Sequence, residues 1–189
     1  MIRSAERGNG TQRTLDAGEW GRVPKLGRAE QSNWARLGGA GTLHGELTLG
    51  HFVVVASAIR DEGTSFHYLP PSRTIQFDED ARRVREGVLK ARGVPFVVGR
   101  TWTTDDPYRE TASKIAARRA EGCLTVEMEA SALAAIANFR GVPLAQVVYC
   151  GDDLTGDSWD HRSWQDLSDV REDLFDLAAS AAVALSRMS

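Results

Sequence analysis

Apolar runs alternate with amphipathic segments along most of the chain. Long β-branched or apolar runs at residues 51–59 ("HFVVVASAI"), 94–102 ("VPFVVGRTW") and 142–151 ("VPLAQVVYCG") predict strands. The shorter run at residues 123–126 ("CLTV") predicts another strand. Runs of this kind, without polar alternation, are typical of strands that are covered on both faces.

The segments between these runs have a helical period. Helices are predicted over residues 77–93, 109–122 and 127–141, and an apolar helical face recurs over residues 167–185. Strands that alternate with helices of this length predict an α/β fold with short, mostly parallel strands.

The first part of the chain has a different texture. Residues 1–33 are rich in Gly, Arg and polar residues and have no apolar periodicity, so we expect them to be poorly ordered. Residues 34–189 are long enough for one α/β domain with a hydrophobic core.

Composition narrows the function classes. The net charge is -3 and the Lys and Arg residues are scattered among acids, which argues against a nucleic-acid partner. No apolar run approaches the roughly 20 residues of a membrane helix. Cys123 and Cys150 lie in apolar runs and are expected to be core thiols in a reducing compartment, which predicts a cytoplasmic protein. The histidines show no spacing typical of a metal site.

Polar segments follow the predicted strands. In α/β sheets ligands gather at the carboxyl ends of strands, so these segments are expected to converge on one polar pocket. They are residues 35–41 ("ARLGGAG"), 59–65 ("IRDEGTS"), 99–106 ("GRTWTTDD"), 127–129 ("EME") and 151–157 ("GDDLTGD").

In this order, the segments resemble the nucleoside phosphorylase family. The most specific pieces are "AIRDEGTSFHYLPPSR", "VGRTWTTDDPYRET", "CLTVEMEASAL" and "YCGDDLTGDSWDHR", and the likeness runs from about Arg36 to the C-terminus. The family includes uridine phosphorylases, hexameric purine nucleoside phosphorylases and methylthioadenosine nucleosidases, and the uridine phosphorylase-like branch is the most similar.

The resemblance implies a fold and a reaction. The fold would be a three-layer α/β/α arrangement around a central mixed, mostly parallel sheet. The reaction would be phosphate-dependent cleavage of the N-glycosidic bond of a uridine or purine nucleoside, giving free base and ribose 1-phosphate. Inorganic phosphate would be the co-substrate without a further cofactor, and the protein would form a homo-oligomer, either a dimer or a hexamer.

The "EME" segment is the expected ribose site. The resemblance assigns Met128 and Glu129 to the sugar, and a carboxylate that accepts hydrogen bonds from the 2′ and 3′ hydroxyls tolerates the cation that develops on the ring. Glu127 has two interpretations of equal weight, a substrate ligand or an acid that favours the first turn of a helix.

The phosphate site is expected at "RLGGAG". The resemblance places Arg36 at the phosphate-binding arginine and Gly39 where many relatives have Thr. Phosphate binds to guanidinium groups and to exposed backbone N–H groups, which a Gly-rich segment can supply. The alternative is that "GGAG" is a plain turn.

The base end departs from the family pattern. Asp152 matches the acid that protonates the base at N7 in the purine enzymes. Arg162 would orient that acid or meet the base, with a solvated Asp–Arg pair as the alternative.

Pro107–Tyr108 replaces the Phe–Tyr of relatives, which leaves Tyr108, with Thr103 and Thr104, as an expected substrate contact. Trp102 is a second candidate for stacking on the base, and its alternative is a core position.

The family has a longer region before the Arg-Leu-Gly segment. That region holds the first strands, a Gly-Arg phosphate loop and a His lent to a neighbouring subunit, and residues 1–35 do not resemble it. The sequence therefore predicts a sheet without its N-terminal strands.

Two alternatives to the phosphorylase are open: a nucleosidase that uses water, and a catalytically impaired paralogue that only binds nucleosides or associates with relatives.

Overall fold

The computed structural model describes residues 34–156 and 159–163, which belong to the unit Ser32–Ser189 of the chain. The predictions for residues 1–33 and for a helix over residues 167–185 lie outside the described residues. In chain order the elements are β1 (Trp34–Thr42), β2 (Phe52–Asp61), β3 (Thr74–Gln76), α1 (Glu79–Ala91), β4 (Phe96–Thr104), α2 (Ala112–Ala120), β5 (Cys123–Glu127), α3 (Ala130–Arg140) and β6 (Leu144–Asp153). Short 3-10 turns follow β2 (Thr64–His67) and β4 (Pro107–Arg109).

The predicted strands and helices within this range are confirmed as β2, β4, β5, β6 and α1–α3. Local chemistry sets the helix ends. The Asp78 side chain caps α1 by accepting a hydrogen bond from the backbone N–H of Ala81 at 2.7 Å. Gly141 ends α3 in the left-handed conformation, with a φ of 65°. Helix α3 begins later than predicted because β5 continues through Glu127.

Strand β1 was not predicted as a strand. Its sequence, "WARLGGAGT", is rich in glycine, which weakens an isolated strand, and the segment was expected at a strand end or in a turn. Its pairing partner decides the structure: β1 pairs in parallel with β6 along most of its length, from Trp34 opposite Leu144 onward. The "GGAG" segment therefore lies inside the sheet, and the plain-turn alternative is wrong.

The sheet is mixed, as predicted, but it closes on itself. The strand order is β3-β2-β4-β5-β1-β6, and β2 pairs with β6 as well as with β4. The first half of β2 (Phe52, Val53 and Val54) is antiparallel to β6, whereas its second half pairs with β3. An α/β fold is confirmed. The resemblance implied a three-layer arrangement around a central sheet. The observed sheet is instead closed like a barrel, because β2 pairs with β6 as well as with β4.

Two clusters of buried hydrophobic side chains lie beneath helices α3 and α2. Helix α3 packs its alanines, among them Ala130 and Ala134, against Val53, Val55 and Val148 of the sheet. A second cluster under α2 contains the fully buried Trp102 and carries the site-bearing ends of β4 and β5. Among the described residues, no helix is both long and apolar enough to span a bilayer.

The two cysteines occupy the expected core positions. Cys123 and Cys150 are buried and are not joined in a disulfide. Burial raises the pKa of Cys123 to about 12 and that of Cys150 to about 11, so both remain neutral thiols at physiological pH.

Candidate active site

A cavity of about 620 Å³ opens where β1, β5 and β6 meet the turn after β4. The three strands are neighbours in the sheet, because β1 pairs with both β5 and β6. Its walls are formed by Arg36, Gly38–Gly41, Pro107, Tyr108, Glu110, Val126–Glu129, Gly151, Asp152, Leu154 and Trp159.

One wall of the cavity is a part of β1 that pairs with a described strand on one side only. Strand β5 pairs with β1 only at Gly41 and Thr42, so residues 36–40 have β6 on one side and the cavity on the other. A strand edge presents backbone N–H and C=O groups. The predicted source of backbone donors is therefore in place, although it is a strand edge and not a loop.

The glycine at position 39 has a steric reason. A Cβ atom on Gly39 would lie 3.1 Å from the hydroxyl oxygen of Tyr149 and 3.2 Å from its Cζ atom. Tyr149 is buried opposite Gly39 in the β1–β6 ladder. The tyrosine ring thus leaves little room for a side chain at position 39.

Arg36 and Glu129 form an ion pair inside the cavity. The Arg36 Nη2 and Glu129 Oε2 atoms are 3.2 Å apart, and the two side chains are 42% and 48% exposed. The Arg36 Nε atom is buried without a hydrogen-bond partner among the described residues. Met128, which is half exposed, lies on the same wall. The structure therefore brings together the residues predicted for phosphate and for ribose.

Glu127 has the structural role that the sequence left open. Its Oε2 atom accepts hydrogen bonds from the backbone N–H groups of Glu129 at 2.9 Å and Ala130 at 2.7 Å. Its Oε1 atom accepts the Thr103 hydroxyl at 2.7 Å. Burial raises the pKa of Glu127 to about 7, although these hydrogen bonds act in the opposite direction. Glu127 thus caps α3 from the end of β5.

Thr103 and Thr104 do not line the cavity. Both are buried, and the Thr103 hydroxyl links Glu127 to the backbone N–H of Ser131 at 3.0 Å. The Thr104 hydroxyl accepts the backbone N–H of Asp106 at 3.2 Å. The two hydroxyls thus support β5, the start of α3 and the turn after β4, while their contact with substrate stays a prediction.

Arg162 is not paired with Asp152. Its guanidinium forms an ion pair with Asp153 and donates a hydrogen bond to the backbone carbonyl of Leu47 at 3.2 Å. Neither Arg162 nor Asp153 lines the cavity. Arg162 is therefore in an Asp–Arg pair, but with Asp153, and the pair is mostly buried and not solvated as the alternative had it.

Two exposed aromatic side chains line the cavity. Tyr108 is 95% exposed and Trp159 is 61% exposed, and both line the cavity. The indole N–H of Trp159 donates to the Oδ2 atom of Asp152 at 2.6 Å. Trp102, the other candidate for stacking, is fully buried and donates to Asp61 at 3.0 Å, so its core alternative is confirmed.

Glu110 lines the same cavity and was not identified from the sequence. Burial and the negative charge of Asp152 raise its pKa to about 7, whereas the positive charge of Lys114 lowers it. In the sequence Glu110 is one acid in the helix-like segment "RETASK", where a solvated position is the ordinary expectation. Only the placement of β6 beside this segment reveals its surroundings.

Most of the chain matches a known protein family. Residues 35–186 match the family model of the phosphorylase superfamily. A guanosine phosphorylase of Halorubrum lacusprofundi is 28% identical over 120 residues, which cover 64% of this chain and 50% of that protein. The chain thus spans about half the length of this curated relative.

Solved structures with a similar fold have low sequence identity. Purine nucleoside phosphorylase from Toxoplasma gondii, in complex with immucillin-H, gives a TM-score of 0.72 at 18% identity, over 84% of this chain and 65% of that one. A P. knowlesi homologue of the P. falciparum enzyme PNP gives 0.68 at 17% identity, over 82% and 62%.

AMP nucleosidase from Bacteroides thetaiotaomicron gives a TM-score of 0.66 at 22% identity, over 83% of this chain and 61% of that one. At these identities the structural likeness establishes the fold only. The family model, however, matches more than half of the sequence. The chain belongs to the phosphorylase superfamily.

Proposed function

We propose that the protein cleaves the N-glycosidic bond of a nucleoside with inorganic phosphate, giving free base and ribose 1-phosphate. One observation carries the proposal: a guanidinium and a carboxylate, Arg36 and Glu129, lie 3.2 Å apart in a cavity that also contains Met128 and Asp152. Phosphorolysis needs an anion site and a sugar site next to each other, since the attacking oxygen must reach C1′.

Phosphate binding would rearrange the ion pair. A phosphate beside Arg36 can accept hydrogen bonds from its guanidinium, including the buried Nε atom that has no partner among the described residues. The open edge of β1 offers further donors. Once Arg36 holds phosphate, the Glu129 carboxylate is released to accept hydrogen bonds from the 2′ and 3′ hydroxyls of ribose.

The chemistry then follows from charge. As the C1′–N bond lengthens, positive charge grows on the ribose and negative charge grows on the base. Glu129 stabilises the first, and Met128 packs against the sugar. A phosphate oxygen forms the new bond to C1′. At the other end a carboxyl group provides a proton to the base, the role that the family resemblance gives to Asp152.

A purine is the favoured base. The matched curated relative is a guanosine phosphorylase, and the exposed rings of Tyr108 and Trp159 offer stacking area for a bicyclic base. Inorganic phosphate is the co-substrate in this proposal, without a further cofactor. Assembly as a homo-oligomer, a dimer or a hexamer, belongs to the proposal through the family resemblance.

A panel of nucleosides tests the proposal. Guanosine, inosine, adenosine and uridine are incubated with the purified protein, with and without phosphate, and free base is measured. We expect base release only with phosphate, and its loss in Arg36→Met. Arg119→Met, at an exposed position on α2, is the matched control and should behave like the parent protein. Equal release without phosphate would identify a nucleosidase, and no release would identify a binding protein without catalysis.

A further inference from the structure

Two carboxyl groups that interact electrostatically, Asp152 and Glu110, line the same cavity. Asp152 extends from the end of β6, and Glu110 follows the 3-10 turn Pro107–Arg109. The Asp152 Oδ2 atom accepts the Trp159 indole N–H at 2.6 Å. Its Oδ1 atom lies 3.4 Å from the position that a Cβ atom on Gly41 would occupy, so it faces the β1 wall of the cavity.

Glu110 has different surroundings. Its side chain is partly buried, and none of the described residues donates a hydrogen bond to its carboxyl group. Burial first, and then the charge of Asp152, raise its pKa to about 7 against the opposing effect of Lys114 on α2. The other charged groups of the cavity are Glu127 and the Arg36–Glu129 ion pair. With a pKa of about 7, a substantial fraction of Glu110 therefore carries a proton at neutral pH, and no hydrogen bond joins its carboxyl group to another described residue.

We propose that Glu110 delivers the proton to the departing base, that Asp152 acts as a positioning anion beside it, and that the base is a purine. This inference rests on the proposed phosphorolysis. Two neighbouring carboxyl groups disfavour double ionisation, so one of them keeps a proton. Asp152 already accepts a hydrogen bond from Trp159, whereas no side chain or backbone group in the described part of the chain donates to Glu110.

In the proposed step the O–H bond of Glu110 breaks and an N–H bond forms at N7 of the purine, while the electrons of the C1′–N9 bond pass to the imidazole ring. A phosphate oxygen bonds to C1′. Glu110 is left as a carboxylate and regains its proton from water after the base leaves. Uracil has no ring nitrogen equivalent to N7, which is why the proposal specifies a purine.

A substrate pair tests this role directly. Inosine needs protonation at N7, whereas 7-methylinosine is already positively charged there and can leave without an acid. We expect Glu110→Gln to lower kcat/KM for inosine by about 100-fold, within the usual range for a general acid. The same variant should cleave 7-methylinosine within a few-fold of the parent rate. Glu46→Gln, at an exposed position outside the cavity, should match the parent on both substrates.

The pH profile is the second readout. With inosine the parent rate should fall as the pH rises above about 7, since the required proton is lost, and Glu110→Gln should lack this decline. Asp152→Asn removes a charge that raises the pKa of Glu110, so the decline should move to lower pH.

The kinetic outcomes distinguish the role of Glu110 from the proposed phosphorolysis. Equal losses on inosine and 7-methylinosine, or an unchanged rate on inosine, would overturn the role of Glu110 while leaving the phosphorolysis intact. A parent protein that cleaves neither substrate in the presence of phosphate would instead overturn the proposed function, and this inference with it.

Discussion

Glu127 and Glu129 are separated by one residue, but their carboxyl groups lie in different surroundings. Glu127 is buried and accepts hydrogen bonds from backbone N–H groups and from Thr103. Glu129 is half exposed and touches Arg36. Both residues line the cavity, but the change from strand to helix between them leaves the Glu127 side chain buried and the Glu129 side chain half exposed.

The charge of Glu129 can be tested without changing its shape. We expect Glu129→Gln to lower kcat/KM for a cleaved nucleoside by about 100-fold, comparable to the loss of one preorganised electrostatic contact. Steady-state kinetics with the parent protein and with Glu46→Gln as the control measure this effect. A variant within twofold of the parent, at unchanged stability, would rule out the ribose role.

Glu127 makes a prediction about stability and pH. Its folded pKa of about 7 lies above the ordinary value of 4.5, so its contribution to stability is fully present below pH 4.5 and is lost as the pH rises through 7. The free energy of unfolding should fall by up to about 3 kcal/mol across this window. Glu127→Gln keeps an acceptor for the backbone N–H groups and should show a shallower decline in urea unfolding. An identical pH slope in the variant and the parent would contradict the raised pKa.

Several residues of the candidate site could be predicted from the sequence and several could not. Arg36, Met128, Glu129 and Asp152 belong to motifs with a fixed spacing, and the structure gathers them in one cavity. Glu110 lies within the family-like piece "VGRTWTTDDPYRET", but the sequence does not show its burial or the nearby charge of Asp152, which depend on the fold. The partners of Thr103, Thr104 and Arg162 could not be predicted, because adjacent polar residues at a strand end face different neighbours, and their roles toward substrate stay predictions.

At the scale of elements, β1 differs most from the sequence prediction. Its glycines argue against a strand, yet they allow close packing: a Cβ atom on Gly41 would lie 2.4 Å from Leu154 Cδ1 and 3.1 Å from Val126 Cγ1. Local propensity is weak in this segment, and pairing with β6 decides its conformation. A glycine-rich strand therefore forms one wall of the cavity without filling it.

Two glycines of β1 provide a matched pair of variants. Gly41→Ala should lower the free energy of unfolding by about 1–3 kcal/mol, the usual cost of overpacking, because Leu154 and Val126 must move. Gly38→Ala should be tolerated, since the nearest atom to its Cβ position, Arg36 Nη2, is 3.9 Å away. Urea unfolding of both variants measures the difference. Equal stability of the two would contradict the close packing at Gly41.

At the scale of the whole molecule, the order of elements was predictable but the closure of the sheet was not. Apolar runs identify β2, β4 and β6 from local sequence alone. The antiparallel pairing of Val53 and Val54 with β6 joins segments that are far apart in the chain, and both strands would read as buried in an open sheet as well. The cavity itself lies beside β1, β5 and β6, which are neighbours through the β1–β5 and β1–β6 pairings.

Phosphorus-31 NMR of the reaction mixture tests the central claim most directly. The parent protein is incubated with inosine and inorganic phosphate, and the phosphorus spectrum is followed while free hypoxanthine is measured. The account predicts a growing ribose 1-phosphate signal that matches the hypoxanthine released, one for one. Hypoxanthine released with free ribose and an unchanged phosphate signal would contradict it.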